Sequence, residues 1–165
     1  MSEGVRPLAA GDLPQLVQLC REHAQFERAS WTEYDREPAL ESLFLGSGEG
    51  RCWVVEARGG LVGFASSSRE LSTWDAAHYQ HLDCLYLRGA FRNRGLGRAL
   101  LAEVAQDALE SKAINVQWQT PMWNTAAAGF YGRLGATPSQ KLRFTLEPAG
   151  CERLIGANDR GAAVR

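Results

Sequence analysis

Neither sign of charge is in excess in this chain. Its 18 lysines and arginines stand against 19 aspartates and glutamates, a net charge of -1, so nothing suggests a polyanionic partner and no nucleic acid is expected. Long apolar runs are missing too. No stretch approaches the ~20 residues of a membrane span, and the opening Met-Ser-Glu-Gly-Val-Arg-Pro has no apolar core of signal-peptide length, so the expectation is a cytoplasmic protein with no membrane partner. Cysteine is sparse and scattered: Cys20, Cys52, Cys84 and Cys151 lack the paired spacing of a zinc site, and three lie in apolar patterns, which suits reduced buried thiols. No internal repeat or low-complexity tract is visible, and 165 residues with 45% hydrophobic and 22% charged content describe one ordinary globular domain.

The stretch that stands out is Leu85 to Leu101: an apolar strand end, a basic glycine-containing turn and the start of an amphipathic helix. That order describes an anion pocket. Gly95 and Gly97 lack a β-carbon, so backbone N–H groups can converge on a phosphate, with the helix dipole behind them. Arg92, Arg94 and Arg98 add guanidinium forks that match phosphate oxygens. The turn lacks the Gly-Lys-Ser/Thr of a nucleoside triphosphate loop and the early Gly-x-Gly-x-x-Gly of a dinucleotide fold.

Along the chain, Asp12 is placed to cap a helix with Gln15 returning the bond, and Leu13, Leu16, Val17 and Cys20 form its apolar stripe. Residues 24–38 are aromatic and acidic and lead into a short helix ending near Leu45. They read either as a solvated loop or as a rim for a cationic amine. Cys52–Ala57 and Leu61–Ser68 read as strands of a hairpin turning at Gly59-Gly60, and Ala77–Leu87 as the next strand. Leu96, Leu100, Leu101, Val104 and Ala108 line the helix that opens at the glycine turn, and Ile114, Val116 and Trp118 alternate as a strand. Asn124 caps a helix that Gly135 ends, and Leu142–Leu146 reads as a final strand. This order makes an α+β domain with a mixed sheet.

His78, His81 and Asp83 are ligand types, but strand alternation turns His78 away and leaves only two, so no metal is expected. The same alternation gives His81 and Asp83 a common face with Leu85 and Leu87. A carboxylate there can accept an amine proton.

Arg92-x-x-Gly95-x-Gly97 after Leu85-x-Leu87 resembles the acetyl-coenzyme A signature of the GNAT superfamily of N-acetyltransferases. Asn124 through Tyr131 to Gly135 is similar to the downstream Asn-(six residues)-Tyr-x-x-x-Gly block of that family. Within it, Glu22-His23-Ala24-Gln25-Phe26-Glu27 and His81-Leu82-Asp83 resemble the diamine (spermidine/spermine) type. The resemblance implies a mixed, mostly antiparallel central sheet flanked by about four helices, with a single domain over residues 1–147 and a mobile tail over 148–165.

It implies acetyl-coenzyme A as co-substrate. Leu85, Tyr86 and Leu87 would hold its pantetheine arm, Arg92, Asn93, Arg94, Gly95, Leu96, Gly97 and Arg98 its pyrophosphate, and Asn124 and Tyr131 would flank the thioester. It implies Tyr131 as the acid that protonates the departing thiolate and Asp83 as the base, although Tyr131 also fits a core aromatic and Asp83 a structural acid. Glu27, Trp31, His81 and Asp83 fall on the acceptor side. If Glu22, Glu27, Glu33 and Asp35 with Trp31 and Trp74 form the rim, the acceptor carries a second positive charge, as polyamines and lysine analogues do. The other readings left open are a different amine acceptor and a coenzyme A sensing module without turnover. A homodimer is expected by resemblance.

Overall fold

A computed structural model describes residues 4–46 and 48–162, the last six of them as backbone only. The chain falls into two compact units, Met1–Met122 and Trp123–Arg165.

The first unit is a five-stranded sheet in the order β1 (Gly4–Pro7), β2 (Gly50–Ala57), β3 (Gly60–Ser72), β4 (Ala77–Leu87), β5 (Val116–Gln117). Neighbours are antiparallel except β4 and β5, which run parallel. The β2–β3 hairpin turns through Arg58 and Gly59, at φ 52° and 79°, one residue earlier than the Gly59-Gly60 expectation.

Alternation divides the core. On one face Trp53, Val55, Ala57, Val62, Ala65 and Leu82 pack against Leu96, Leu100 and Val104 of α3 (Leu96–Glu110). On the other, Cys52, Val54, Leu61 and Phe64 meet Leu13, Leu16 and Leu19 of α1 (Leu13–Phe26). Leu100 and Val104 are fully buried, each worth about 1.5–3 kcal/mol. Leu19 completes the α1 stripe where Val17 was expected; Val17 is only half-buried. After α1 come α2 (Glu37–Glu41) and a single π turn, Ser42–Gly46, matching the short helix expected to end near Leu45. Cys20, Cys52, Cys84 and Cys151 are free thiols, and burial pushes Cys20 up to about 11 and Cys52 and Cys84 higher.

Asp12 does not cap α1. A 3₁₀ turn, Ala10–Asp12, precedes the helix, so the Asp12 carboxylate accepts from Ala9 N at 2.8 Å and from both terminal nitrogens of Arg6 at 2.7 and 2.9 Å. The Arg6 guanidinium holds Asp12 below the usual carboxylate range. Gln15 leaves the capping box as well and accepts from Leu61 N at 2.8 Å, tying α1 to β3.

The second unit carries α4 (Thr125–Arg133) and α5 (Pro148–Ala162). Asn124 caps α4 as expected, its side chain accepting from Ala127 N at 3.2 Å, and Gly135 follows the helix end at φ 89°. Leu142–Leu146 is not a strand. Its backbone joins no strand ladder among the described residues, and Leu142 and Phe144 are 84% and 86% exposed. Beyond it, α5 occupies the stretch read as a tail.

Candidate active site

Three features of β4 build the site in the first unit. The first is its free edge. Pairing with β5 covers only Gln80 with Val116 and His81 with Gln117, and among the described residues no strand takes that edge over Leu82–Leu87. An extended, amide-bearing ligand can add there as a strand does.

The second is the turn that follows. Gly95, at φ 81°, is the N-cap of α3, a left-handed conformation that strains other residues, and as a glycine it brings no side chain to cap the helix's first amides. Asn93 is also left-handed, at φ 61°, while Leu96 and Gly97 already lie in the first helical turn. Those amides and the positive dipole end form an anion seat. Arg92 donates to Leu87 O at 2.9 Å and lies 4.5 Å from the centre of the Phe26 ring; Arg94 stacks 5.2 Å from Phe91; Arg98 is exposed.

The third is a β-bulge. Ser66 pairs with Cys84 and Ser67 with Leu82, so Asp83 has no partner of its own across the ladder. The bulge resets the alternation: Leu82, Leu85 and Leu87 pack toward α3, whereas Cys84 and Tyr86 face α1. Asp83, with His81 two residues back, is therefore on the α1 face. This corrects the shared face with Leu85 and Leu87 expected from simple alternation. Asp83 opens into a cavity of about 200 Å³ that it lines with Leu43, Phe44, Glu49, Gly50, Ser66, Ser67 and Ser68. Ser66 Oγ and Cys84 Sγ both approach its Oδ2 at 3.5 Å.

The acidic rim is largely occupied by the chain's own groups. Glu22 forms a two-pronged pair with Arg88 at 2.8 and 2.9 Å, which holds its carboxyl low, and Tyr86 Oη stands 3.5 Å away. Glu33 pairs with Arg21 at 2.8 Å, and Asp35 accepts from Glu37 N. Trp31 and Tyr34 sandwich the Arg36 guanidinium at 3.7 and 3.8 Å. Trp74 projects from the β3–β4 turn, 98% exposed.

Glu27 meets His23, a residue given no role from sequence, at 3.5 Å. The His23 ring stacks on Tyr86 at 5.3 Å, and burial lowers its pKa against the opposing influence of Glu27 and Asp83. The His23/Glu27 spacing of four residues on a helix was the available signal. Nothing local marked Leu43, Phe44 or Glu49, which only tertiary packing brings to Asp83.

In the second unit, Tyr131 is half-buried on α4, its ring 5.3 Å from that of Phe130. No cluster of His, Cys, Asp and Glu among the described residues could hold a metal ion.

Residues 16–136 match the acetyltransferase (GNAT) family. The chain belongs to that family. A thialysine N-epsilon-acetyltransferase from Mus musculus is 28% identical to this GNAT protein over 168 residues, covering 94% of this chain and 98% of its own. An L-ornithine N5-acetyltransferase from Arabidopsis thaliana is 32% identical over 64 residues, 39% of this chain and 28% of its own. Among solved structures, an aminoglycoside acetyltransferase from an uncultured soil metagenomic sample superposes with TM-score 0.73 at 20% identity, covering 88% of this chain and 97% of its own, a likeness of fold. The chain is thus an acetyl-transferring enzyme on a GNAT fold, similar to the diamine acetyltransferase-like type named from its motifs.

Proposed function

We propose that this GNAT enzyme moves an acetyl group from acetyl-coenzyme A to the primary amine of a small cationic acceptor, polyamine or lysine-like, by direct attack in a ternary complex. The observation that carries this reading is the Asp83 carboxylate, which the bulge turns into a cavity on the strand whose edge is open. The residues present fit the co-substrate: the uncapped first turn of α3 suits a pyrophosphate, and Leu85, Tyr86 and Leu87 present a free edge to an amide-bearing arm. Arg92 serves the phosphates once it releases Leu87 O, with Asn93, Arg94, Gly95, Leu96, Gly97 and Arg98 around it.

An alkylamine with a solution pKa near 10.4 is only about 0.04% neutral at pH 7, and only the neutral form attacks. Asp83 takes the ammonium proton and passes it to solvent. As the new N–C bond forms and the C–S bond breaks, the same carboxylate takes the second proton that the acylated nitrogen must lose, while Tyr131, with Asn124 beside the thioester, gives its proton to the thiolate and is reprotonated from solvent. Much of the acceleration then comes from positioning. Glu27, Trp31 and His81 belong to the acceptor side in this reading, Glu27 through its contact with His23.

The lysine-like acceptor is favoured over the polyamine by one observation: Glu22 and Glu33 are already paired with Arg88 and Arg21, and Arg36 fills the faces of Trp31 and Tyr34. The names of the thialysine and ornithine relatives lean the same way. The proposal includes a cytoplasmic homodimer, carried from the resemblance and checked by equilibrium sedimentation. The central test is calorimetric. At a hundredfold excess over its dissociation constant, acetyl-coenzyme A stabilises the fold by about 2.7 kcal/mol, and a melting temperature unchanged at millimolar coenzyme overturns the assignment.

A further inference from the structure

We propose that Phe44, seated on Gly50, sets which amines this enzyme accepts: the cavity wall it forms admits an unbranched alkylamine end-on to Asp83 and turns away branched or ring-bearing amines. The inference rests on the acetyl-transfer reading above and names the shape selectivity of the same site.

Leu43 and Phe44 give the cavity an apolar wall; Ser66 and Ser68 of β3 line it with the backbone of Ser67, whose hydroxyl accepts from Gln80 Nε2 at 2.8 Å, and Glu49 and Asp83 complete the lining. Such a lining suits a hydrocarbon chain laid on the ring with its ammonium end at a carboxylate. Its volume of about 200 Å³ lies below the roughly 300–1,000 Å³ of pockets that take drug-sized ligands. A linear diamine or lysine-like side chain is the size that matches.

Phe44 holds that wall by an unusually close fit. A β-carbon added at Gly50 would stand 2.8 Å from Phe44 Cε1 and 3.0 Å from its Cδ1, against 3.3 Å from Ser67 O. Glycine at the start of β2 thus lets the ring lie directly on the strand, and any side chain there must push the ring off. Phe44 also sits in the π turn Ser42–Gly46, whose extra residue per turn re-aims side chains and recurs at functional sites. Two independent features, the missing β-carbon and the π turn, place one ring at the cavity.

The test compares 1,5-diaminopentane with benzylamine by kcat/KM in the full-length enzyme. Phe44→Ala is expected to raise the benzylamine-to-diamine ratio by at least about tenfold, the lower range of what pocket size discriminates, with the KM for acetyl-coenzyme A unchanged. Phe44→Leu, which keeps an apolar side chain and guards against loss of folding, is expected to move the ratio the same way by less. Gly50→Ala lowers efficiency on both amines, and adding Phe44→Ala to it restores transfer, because the collision is with the ring. An unchanged ratio in both Phe44 variants, or a double variant no better than Gly50→Ala, overturns the inference while acetyl transfer stands. Wild-type protein that transfers to no amine overturns both.

Discussion

Tyr131→Phe keeps the ring that packs beside Phe130 and removes only a hydroxyl. If that hydroxyl delivers the proton to the thiolate, turnover falls by roughly 10² to 10⁴ with coenzyme affinity little changed; near-normal turnover returns Tyr131 to a packing role. His23 makes a prediction of a different kind. Facing it are Glu27 from its own helix, Asp83 and Tyr86 from β4, and Arg92 from the turn, and burial outweighs the carboxylates so that its pKa is lowered from 6.5. The unfolded chain then binds the proton more readily than the folded one. The contribution of this group is present above pH 6.5 and lost as pH falls from there through the folded value, by up to about 1.4 kcal/mol per pH unit. Urea unfolding at pH 7.5 and 5.5 should show a larger loss for the wild type than for His23→Gln; parallel losses would mean that the imidazole titrates alike in both states.

At the scale of elements, the opening of α3 is the most exacting. Gly95→Ala meets no atom within 4 Å of its new β-carbon, so its cost is conformational, from φ 81°: about 1–2 kcal/mol of stability. Weaker acetyl-coenzyme A binding should accompany the lower melting temperature, as the first amides of the helix re-aim. Unaltered affinity would separate that turn from the coenzyme.

This turn was legible from the chain alone because its chemistry is local, as was the Asn124 cap. The bounds of β4, Ala77–Leu87, were legible too, because alternation and flanking turns mark them. The bulge was not: Leu82-Asp83-Cys84 contains no glycine or other local sign, and the extra residue exists only against Ser66 and Ser67 of the neighbouring strand. Arg92 escaped for a related reason, since its partners Leu87 O and Phe26 are set by how α1 and β4 end side by side. Asp12 misled because the 3₁₀ turn moved the helical start back to Ala9.

At the scale of the molecule, both core clusters are drawn from the first unit: every residue of each precedes Met122. A chain ending at Met122 is therefore expected to melt cooperatively and, if Asn124 and Tyr131 act at the thioester as proposed, to transfer no acetyl group. Circular dichroism of the truncated chain checks this, and a non-cooperative melt would show that the second unit is needed for folding.

Strand β4 makes three directions in space independent of one another. Its free edge is backbone, its α3 face is core and its α1 face is the cavity side, and the bulge assigns Leu85 and Leu87 to one face and Asp83, Cys84 and Tyr86 to the other. Side chains on the cavity face can be exchanged without altering the amides that line the edge. On the proposed reading, acceptor preference can accordingly drift, in nature or in directed evolution, while the acetyl donor stays the same.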